Sequence, residues 1–334
     1  MWDAMRRSAF IATAALLILS VSACASPADV GAPSDAGPTG REPALPTGWR
    51  WESYSGVQVG VPGEWGWGSG SQRLGQWCIA TKDEITRPIV GRPSATTLVG
   101  CPGRDDSTPR PDTLTANTGL VVGFDRTKDR SNGVEHEGDR TTVRLDGVLV
   151  IVQAPQALRE RIVETIHPVR VDSFGCPATH PVGAKPDQRP AKAVSVASLR
   201  GVSAVSACKY QVADPDRPEP RLLSALRLDD STAERAIREI AKAPLGGGPN
   251  NPEECAQSVA YGDEGIVLLV RSAVGLTEIV LRYSGCDHNG FDDGVSVRSL
   301  TATSVAPFIA GPNAVLSSFG SAKLPILRPD LTTR

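Results

Sequence analysis

The chain is poor in the residues that most often carry chemistry. Its 334 residues include four histidines, two methionines and only 5% aromatics. None of His136, His167, His180 and His288 lies in an H-E-x-x-H spacing, the signature of a metalloprotease. Glu135-His136-Glu137 beside Asp139 reads as an exposed turn. No G-x-S-x-G elbow occurs, so no hydrolase nucleophile is signalled by motif. No C-x-x-C pair is present, and zinc sites need such close spacings. The glycine-rich stretch 66–71 lacks the Gly-Lys-Ser/Thr ending of a phosphate loop, so it reads as a flexible loop. No sequence feature calls for a cofactor or a metal. A net charge of −2 gives no overall footprint for nucleic acid. The apolar run from Ala9 to Val21 is shorter than the roughly 20 residues that span a bilayer.

What is present begins with that run. Arg6-Arg7 precedes it and Val21-Ser22-Ala23-Cys24 follows it, the layout of a secretory signal peptide over residues 1–23. The rival readings are an uncleaved membrane anchor and a signal cleaved elsewhere. The cysteine after Ser22-Ala23 resembles the lipobox of bacterial lipoproteins. That resemblance implies that Cys24 is acylated, becomes the first mature residue and holds the chain at the extracytoplasmic face of the cell membrane. Each buried methylene contributes about 0.8 kcal/mol and stable anchoring takes two chains, which a diacylglyceryl group supplies. Residues 24–46 are rich in Ala, Pro, Gly, Ser and Asp, too apolar-poor to fold, and read as a disordered tether. Its reach as a flexible chain is on the order of 25 Å.

Apart from Cys24, six cysteines remain. In an exported chain these read as disulfides. Sequence alone cannot choose their pairing; neighbouring pairs are expected, Cys78–Cys101, Cys176–Cys208 and Cys255–Cys286.

Hydropathy patterning points to an α+β fold of two small domains, 47–173 and 193–327, each a mainly antiparallel sheet with one or two packed helices, joined by a Pro-rich linker at 174–192. In the first, 51–54 and 57–61 read as strands, and Val57, Val59 and Val61 alternate with Gln58 and Gly60 as in a half-buried strand. Residues 120–124 read as another. Residues 141–145 and 148–152 flank Asp146-Gly147, a type I′ hairpin signal. Pro155 suits a first helical turn, and Leu158, Ile162 and Ile166 fall on one face of the helix that follows. The stretch 54–65, with its Gly-Val strand and Pro62-x-x-Trp65, resembles the opening of PsbP/Mog1-like α+β domains. The resemblance implies a fold and no active site. In the second domain, strands are expected at 194–199, 202–212, 222–228, 258–261, 266–270, 278–283 and 295–300. A capping box at Ser231-x-x-Glu234 starts an amphipathic helix. A helix broken at Pro312 closes the domain.

Three constellations invite a functional reading. Trp49, Trp51, Trp65, Trp67 and Trp77 form a candidate ligand surface, since aromatic faces stack on sugars; core packing is the rival. In a strand, Trp65 and Trp67 would share a face. The stretch Asp287–Gly294 concentrates oxygen ligands of the type calcium takes, but without EF-hand spacing, and reads as a polar hairpin loop. Ser206-x-x-Lys209 matches a nucleophile motif, but its partner motifs are missing. The chain thus reads as a non-catalytic binding or scaffolding lipoprotein of the cell envelope, with cell-wall glycan or another envelope protein as partner. An envelope hydrolase whose site assembles only in three dimensions and a solute-binding protein are the alternatives.

Overall fold

Two-residue turns with positive φ match the twist of the strands they join, and two of them shape the first domain. The computed structural model describes residues 44–67, 87–93, 120–212, 221–315 and 324–327. The signal-like start, the tether as far as residue 43, Cys24, Trp77, Cys78 and Cys101 lie outside these residues. Ser55 (φ 49°) and Gly56 (φ 83°) join β1 (Trp49–Tyr54) to β2 (Val57–Pro62). All of β2 is buried, which corrects the expectation of one wet face. Gln58 is fully buried because its amide donates to Ser53 Oγ at 3.1 Å and Ser173 Oγ at 2.9 Å; a polar side chain with partners can leave water.

A second sheet contains β3 (Gly66–Trp67), β4 (Ile89–Gly91), β5 (Val121–Arg126), β6 (Gly133–Glu137), β7 (Arg140–Leu145) and β8 (Val148–Gln153), in the order β3-β4-β5-β8-β7-β6. The β3–β4 and β4–β5 pairs are parallel and the others antiparallel. Asp146 (φ 44°) and Gly147 (φ 81°) turn β7 into β8. Helix α1 (Gln156–Val163) follows Pro155 and buries Ile162 completely, with Leu158 and Ile166 packed on the same core. Thr165 Oγ1 donates to the Ile162 carbonyl at 2.6 Å and accepts the Gly60 amide at 2.8 Å, fastening the helix end to β2. Strand β9 (His167–Pro168) then adds to β2.

Residues 174–192, expected as a spacer, lie against the second domain. They include the short helix α2 (Pro181–Ala184). The second domain's sheet is antiparallel throughout, ordered β11-β10-β12-β13-β14-β15. Its strands are β10 (Ala204–Gln211), β11 (Leu222–Asp229), β12 (Glu264–Ser272), β13 (Gly275–Arg282), β14 (Gly290–Asp292) and β15 (Val297–Arg298). Every residue of β10 is buried. Helix α3 (Asp230–Lys242) lays Ala233, Ala236, Ile237 and Ile240 on one core with Val205, Ala207, Ile266 and Leu268. On a separate core, Phe174, Cys176 and Val182 pack with Cys208, Tyr210 and Val267. The Cys176–Cys208 disulfide (Cα–Cα 5.5 Å) fastens that covering segment.

Several local expectations give way. Residues 194–199 hold a 3₁₀ turn, Val196–Ser198, because the Asp293 carboxylate accepts the Val196 amide at 2.8 Å. Residues 258–261 fall on another, Gln257–Val259, and its end. Helix α3 begins at Asp230 with no side-chain cap, so Ser231 and Glu234 form no capping box. A box does form at Thr301 and Ser304, opening α4 (Ala302–Val305). Only β15 survives of the strand expected at 295–300. Of the closing broken helix, α4 and a 3₁₀ turn at Gly311–Asn313 are seen, and 316–319 lie outside the described residues.

The fold is thus α+β, with mainly antiparallel sheets and few helices. Ala44–Arg334 pack as one unit. The Ser55 amide donates to the Leu222 carbonyl at 2.8 Å, and the Leu222 amide to the Ala178 carbonyl at 3.0 Å. Leu223 of β11 joins the first domain's core. No helix among the described residues is long and apolar enough to cross a membrane.

Candidate functional site

Where the two domains meet, both tight turns border a cleft of about 860 Å³. Residues 168–170, Ala178, Thr179 and Arg221 complete its lining. Gly56 is required here twice over. Its φ is +83°, and a Cβ would stand 3.3 Å from both the Ala178 methyl and the Val169 carbonyl. Leu145 and Asp146 enter the lining from the β7–β8 turn.

Arginines dominate the polar part of this lining. Arg221 precedes β11, where its carbonyl accepts the Gln211 amide at 2.9 Å and fixes the backbone. Its Nη1 donates to Ser55 Oγ at 3.2 Å. Arg126, at the end of β5, donates Nη1 to Gln211 Oε1 at 3.1 Å. Burial first, and then the nearby Arg126 guanidinium, push Arg221 below the ordinary arginine range; Arg130 adds to the shift, and Tyr54 and Asp146 oppose it. Arg130 reaches Asp146 at 3.3 Å in a pair exposed to water. Arg170 is exposed and makes no ion pair among the described residues. Guanidiniums stay charged at neutral pH and present five donors in a planar fork. Such a lining presents charged hydrogen-bond donors toward the cleft.

The four described tryptophans, Trp49, Trp51, Trp65 and Trp67, do not gather into one surface. Strand alternation puts Trp49 and Trp51 on one face of β1 and Arg50 and Glu52 on the other. Trp49 lies under Arg161 at 5.0 Å and Trp51 meets His167 edge-on at 5.1 Å. Trp67 is on the opposite side, its Nε1 donating to Glu52 at 2.8 Å and its ring 4.3 Å from the Arg50 guanidinium. Trp65 precedes β3 and is core, 2% exposed, whereas Trp67 is 40% exposed. The two therefore do not share a face.

The oxygen-rich stretch 287–294 is used internally. Asp292 accepts from Arg189 at 2.8 Å and from the Gly294 amide at 2.9 Å, with Arg282 at 3.5 Å. Burial would raise Asp292, but the Arg189 bonds, the Gly294 amide and the charges of Arg189 and Arg282 hold it below the usual range. Asp293 accepts the amides of Val196, Val295 and Ser296. No group of three or more His, Cys, Asp or Glu placed to hold a metal occurs among the described residues.

Ser206 and Lys209 stand on opposite faces of β10. Ser206 Oγ donates to the Phe174 carbonyl, while Lys209 Nζ pairs with Glu264 at 2.9 Å. Tyr283 donates to the same carboxylate at 2.6 Å. His136 is on β6 and not in a turn, with Nδ1 2.9 Å from Thr141 Oγ1. The expected Cys176–Cys208 and Cys255–Cys286 disulfides are both present, each with Cα–Cα 5.5 Å.

Sequence reading missed the cleft. Arg126, Arg130, Arg170 and Arg221 share no spacing, and only the Ser55-Gly56 and Asp146-Gly147 turns carried a local signal. Comparison of the chain with protein-family models, curated proteins and solved structures finds no match.

Proposed function

We propose that this chain is an extracytoplasmic lipoprotein, anchored through Cys24, whose body serves as a non-catalytic binding module of the cell envelope. The observation that carries the reading is the pair of disulfides behind a lipobox-like Val21-Ser22-Ala23-Cys24. Structural disulfides persist in oxidising compartments. The lining arginines Arg130, Arg170 and Arg221 present charged hydrogen-bond donors to the cleft, which supports the binding reading.

Metabolic labelling with a palmitate analogue, followed by detergent-phase partition, tests it. The wild-type chain is expected to carry label and enter the detergent phase; Cys24→Ala is expected to lose both. An unlabelled wild-type chain in the aqueous phase would overturn the anchor.

A further inference from the structure

The two described disulfides sit in opposite surroundings. We propose that Cys255–Cys286 is a site of thiol–disulfide exchange, opened and resealed by a dithiol partner, while Cys176–Cys208 is a permanent tie. This goes beyond the binding-module reading and does not rest on it.

Access is the first ground. An attacking thiolate must reach a disulfide sulfur, so exposed bonds are the exchangeable ones. Cys176 and Cys208 are both 0% exposed. Cys208 stands within β10 opposite Ala225 of β11 and Val267 of β12, and Phe174 and Val182 share its core. Cys255 and Cys286 are only half-buried. Cys255 lies between two 3₁₀ turns, Pro252–Glu254 and Gln257–Val259, and residues 256–259 beside it are exposed. A reagent meets this bond at the surface, whereas it meets the other only after the sheet opens.

The second ground is what still holds when the bond opens. The Asn251 amide donates to the Cys286 carbonyl at 2.7 Å, and the Asp287 amide to the Ala260 carbonyl at 2.9 Å. Gly285 lets that Ala260 carbonyl come close, since a Cβ there would stand 2.0 Å from it. Both ends of segment 251–260 thus stay fastened. Each released thiol also has an acceptor at hand. The Val259 carbonyl is 3.5 Å from Cys286 Sγ and the Ala256 carbonyl 3.8 Å from Cys255 Sγ, and a thiol is a weak donor. Reduction is therefore local.

In the exchange, one thiolate of the partner attacks Cys255 or Cys286 and forms a mixed disulfide, and the other cysteine leaves as a thiolate. The partner's second thiol then displaces the bound cysteine. Two electrons and two protons pass from the dithiol to the chain. The partner ends as a disulfide, and Cys255 and Cys286 as two thiols.

The test uses the full chain carrying Cys24→Ala, so that Cys24 adds no thiol. The folded chain is incubated with dithiothreitol without denaturant and alkylated at intervals, and the modified cysteines are mapped by mass spectrometry. Cys255 and Cys286 should react about a hundredfold faster than Cys176 and Cys208. Equal rates, or a Cys255–Cys286 bond that survives until denaturant is added, would overturn the proposal. A thioredoxin with its resolving cysteine replaced by serine should be captured as a mixed disulfide on Cys255 or Cys286; capture on neither would remove the dithiol partner. Amide hydrogen exchange of the reduced chain should quicken about tenfold or more within 252–259 and stay unchanged along β10 and β12. Lost protection along those strands would make the bond structural and sink the idea. Failure here leaves the anchor standing, since labelling at Cys24 tests that separately.

Discussion

Arg189 and Arg282 converge on one buried carboxylate, whereas Arg130, Arg170 and Arg221 converge on a cleft. At the first place the Asp292 side chain is 4% exposed and that of Arg282 is 9% exposed. Arg282 also donates to the Pro186 and Gln188 carbonyls, at 2.9 and 2.6 Å, and so fastens the chain leading from α2 to the second domain's sheet. At the second place the lining carboxylate, Asp146, is 80% exposed and pairs with an arginine that is 63% exposed. The guanidinium is therefore structural where it meets a buried carboxylate, and lines a water-facing cleft where the carboxylate it meets is itself exposed.

The sharpest way to break this contrast is Asp292→Ala. It leaves Arg282 buried without its carboxylate, and removing one partner of a buried pair costs about 3–5 kcal/mol. Urea unfolding at neutral pH should show a loss of that size; a loss below about 1 kcal/mol would make the Asp292 cluster no more structural than the cleft. Because the Asp292 carboxyl is held below its usual range, its contribution is present at neutral pH and fades as pH falls through that depressed value.

Asp263 probes the contrast from the carboxylate side, beside Glu264, which pairs with Lys209. Burial, and then the Glu264 charge, raise Asp263 to about 6. For an acid with a raised folded value, the unfolded chain ionises first. Folding is therefore penalised progressively as pH rises through this window, and fully above about 6. Asp263→Asn should stabilise the chain at neutral pH by about 1–2 kcal/mol and confer nothing below about pH 4. Denaturant midpoints across that range decide it, and an advantage that persists in acid would remove the electrostatic explanation. The smallest effect belongs to the cleft itself. Arg170→Gln should change unfolding free energy by no more than about 0.5 kcal/mol, as expected for an exposed side chain; a loss near 2 kcal/mol would make Arg170 part of the fold.

Local rules were legible and tertiary ones were not. Asp146-Gly147 dictates positive φ at two adjacent residues, so the β7–β8 hairpin could be read directly. The apolar stripe of α3 followed its period, and neighbouring cysteines paired across short separations. The pattern at 194–199 was read as strand because short apolar runs suit several backbones; the carboxylate of Asp293, remote in sequence, accepts the Val196 amide there. Gln58 looked like a wet-face residue until Ser173 arrived from another segment to bond it. The cleft belongs to the same class. Its lining arginines come from the loop after β5, the chain after β9 and the residue before β11, and only folding brings them together.

Ala178 and Thr179, one wall of the cleft, lie two and three residues after Cys176, which is bonded to Cys208 inside the second domain's sheet. The cleft consequently has an oxidation history. In a reducing compartment that wall is held by hydrogen bonds alone, among them the Leu222 amide on the Ala178 carbonyl, the Ala178 amide on the Arg170 carbonyl and the Tyr210 hydroxyl on the Pro177 carbonyl. Once the chain meets an oxidising compartment, a covalent bond replaces dependence on them. On the proposed export route, crossing the membrane would finish the cleft wall as well as deliver it, because only there would the disulfide persist.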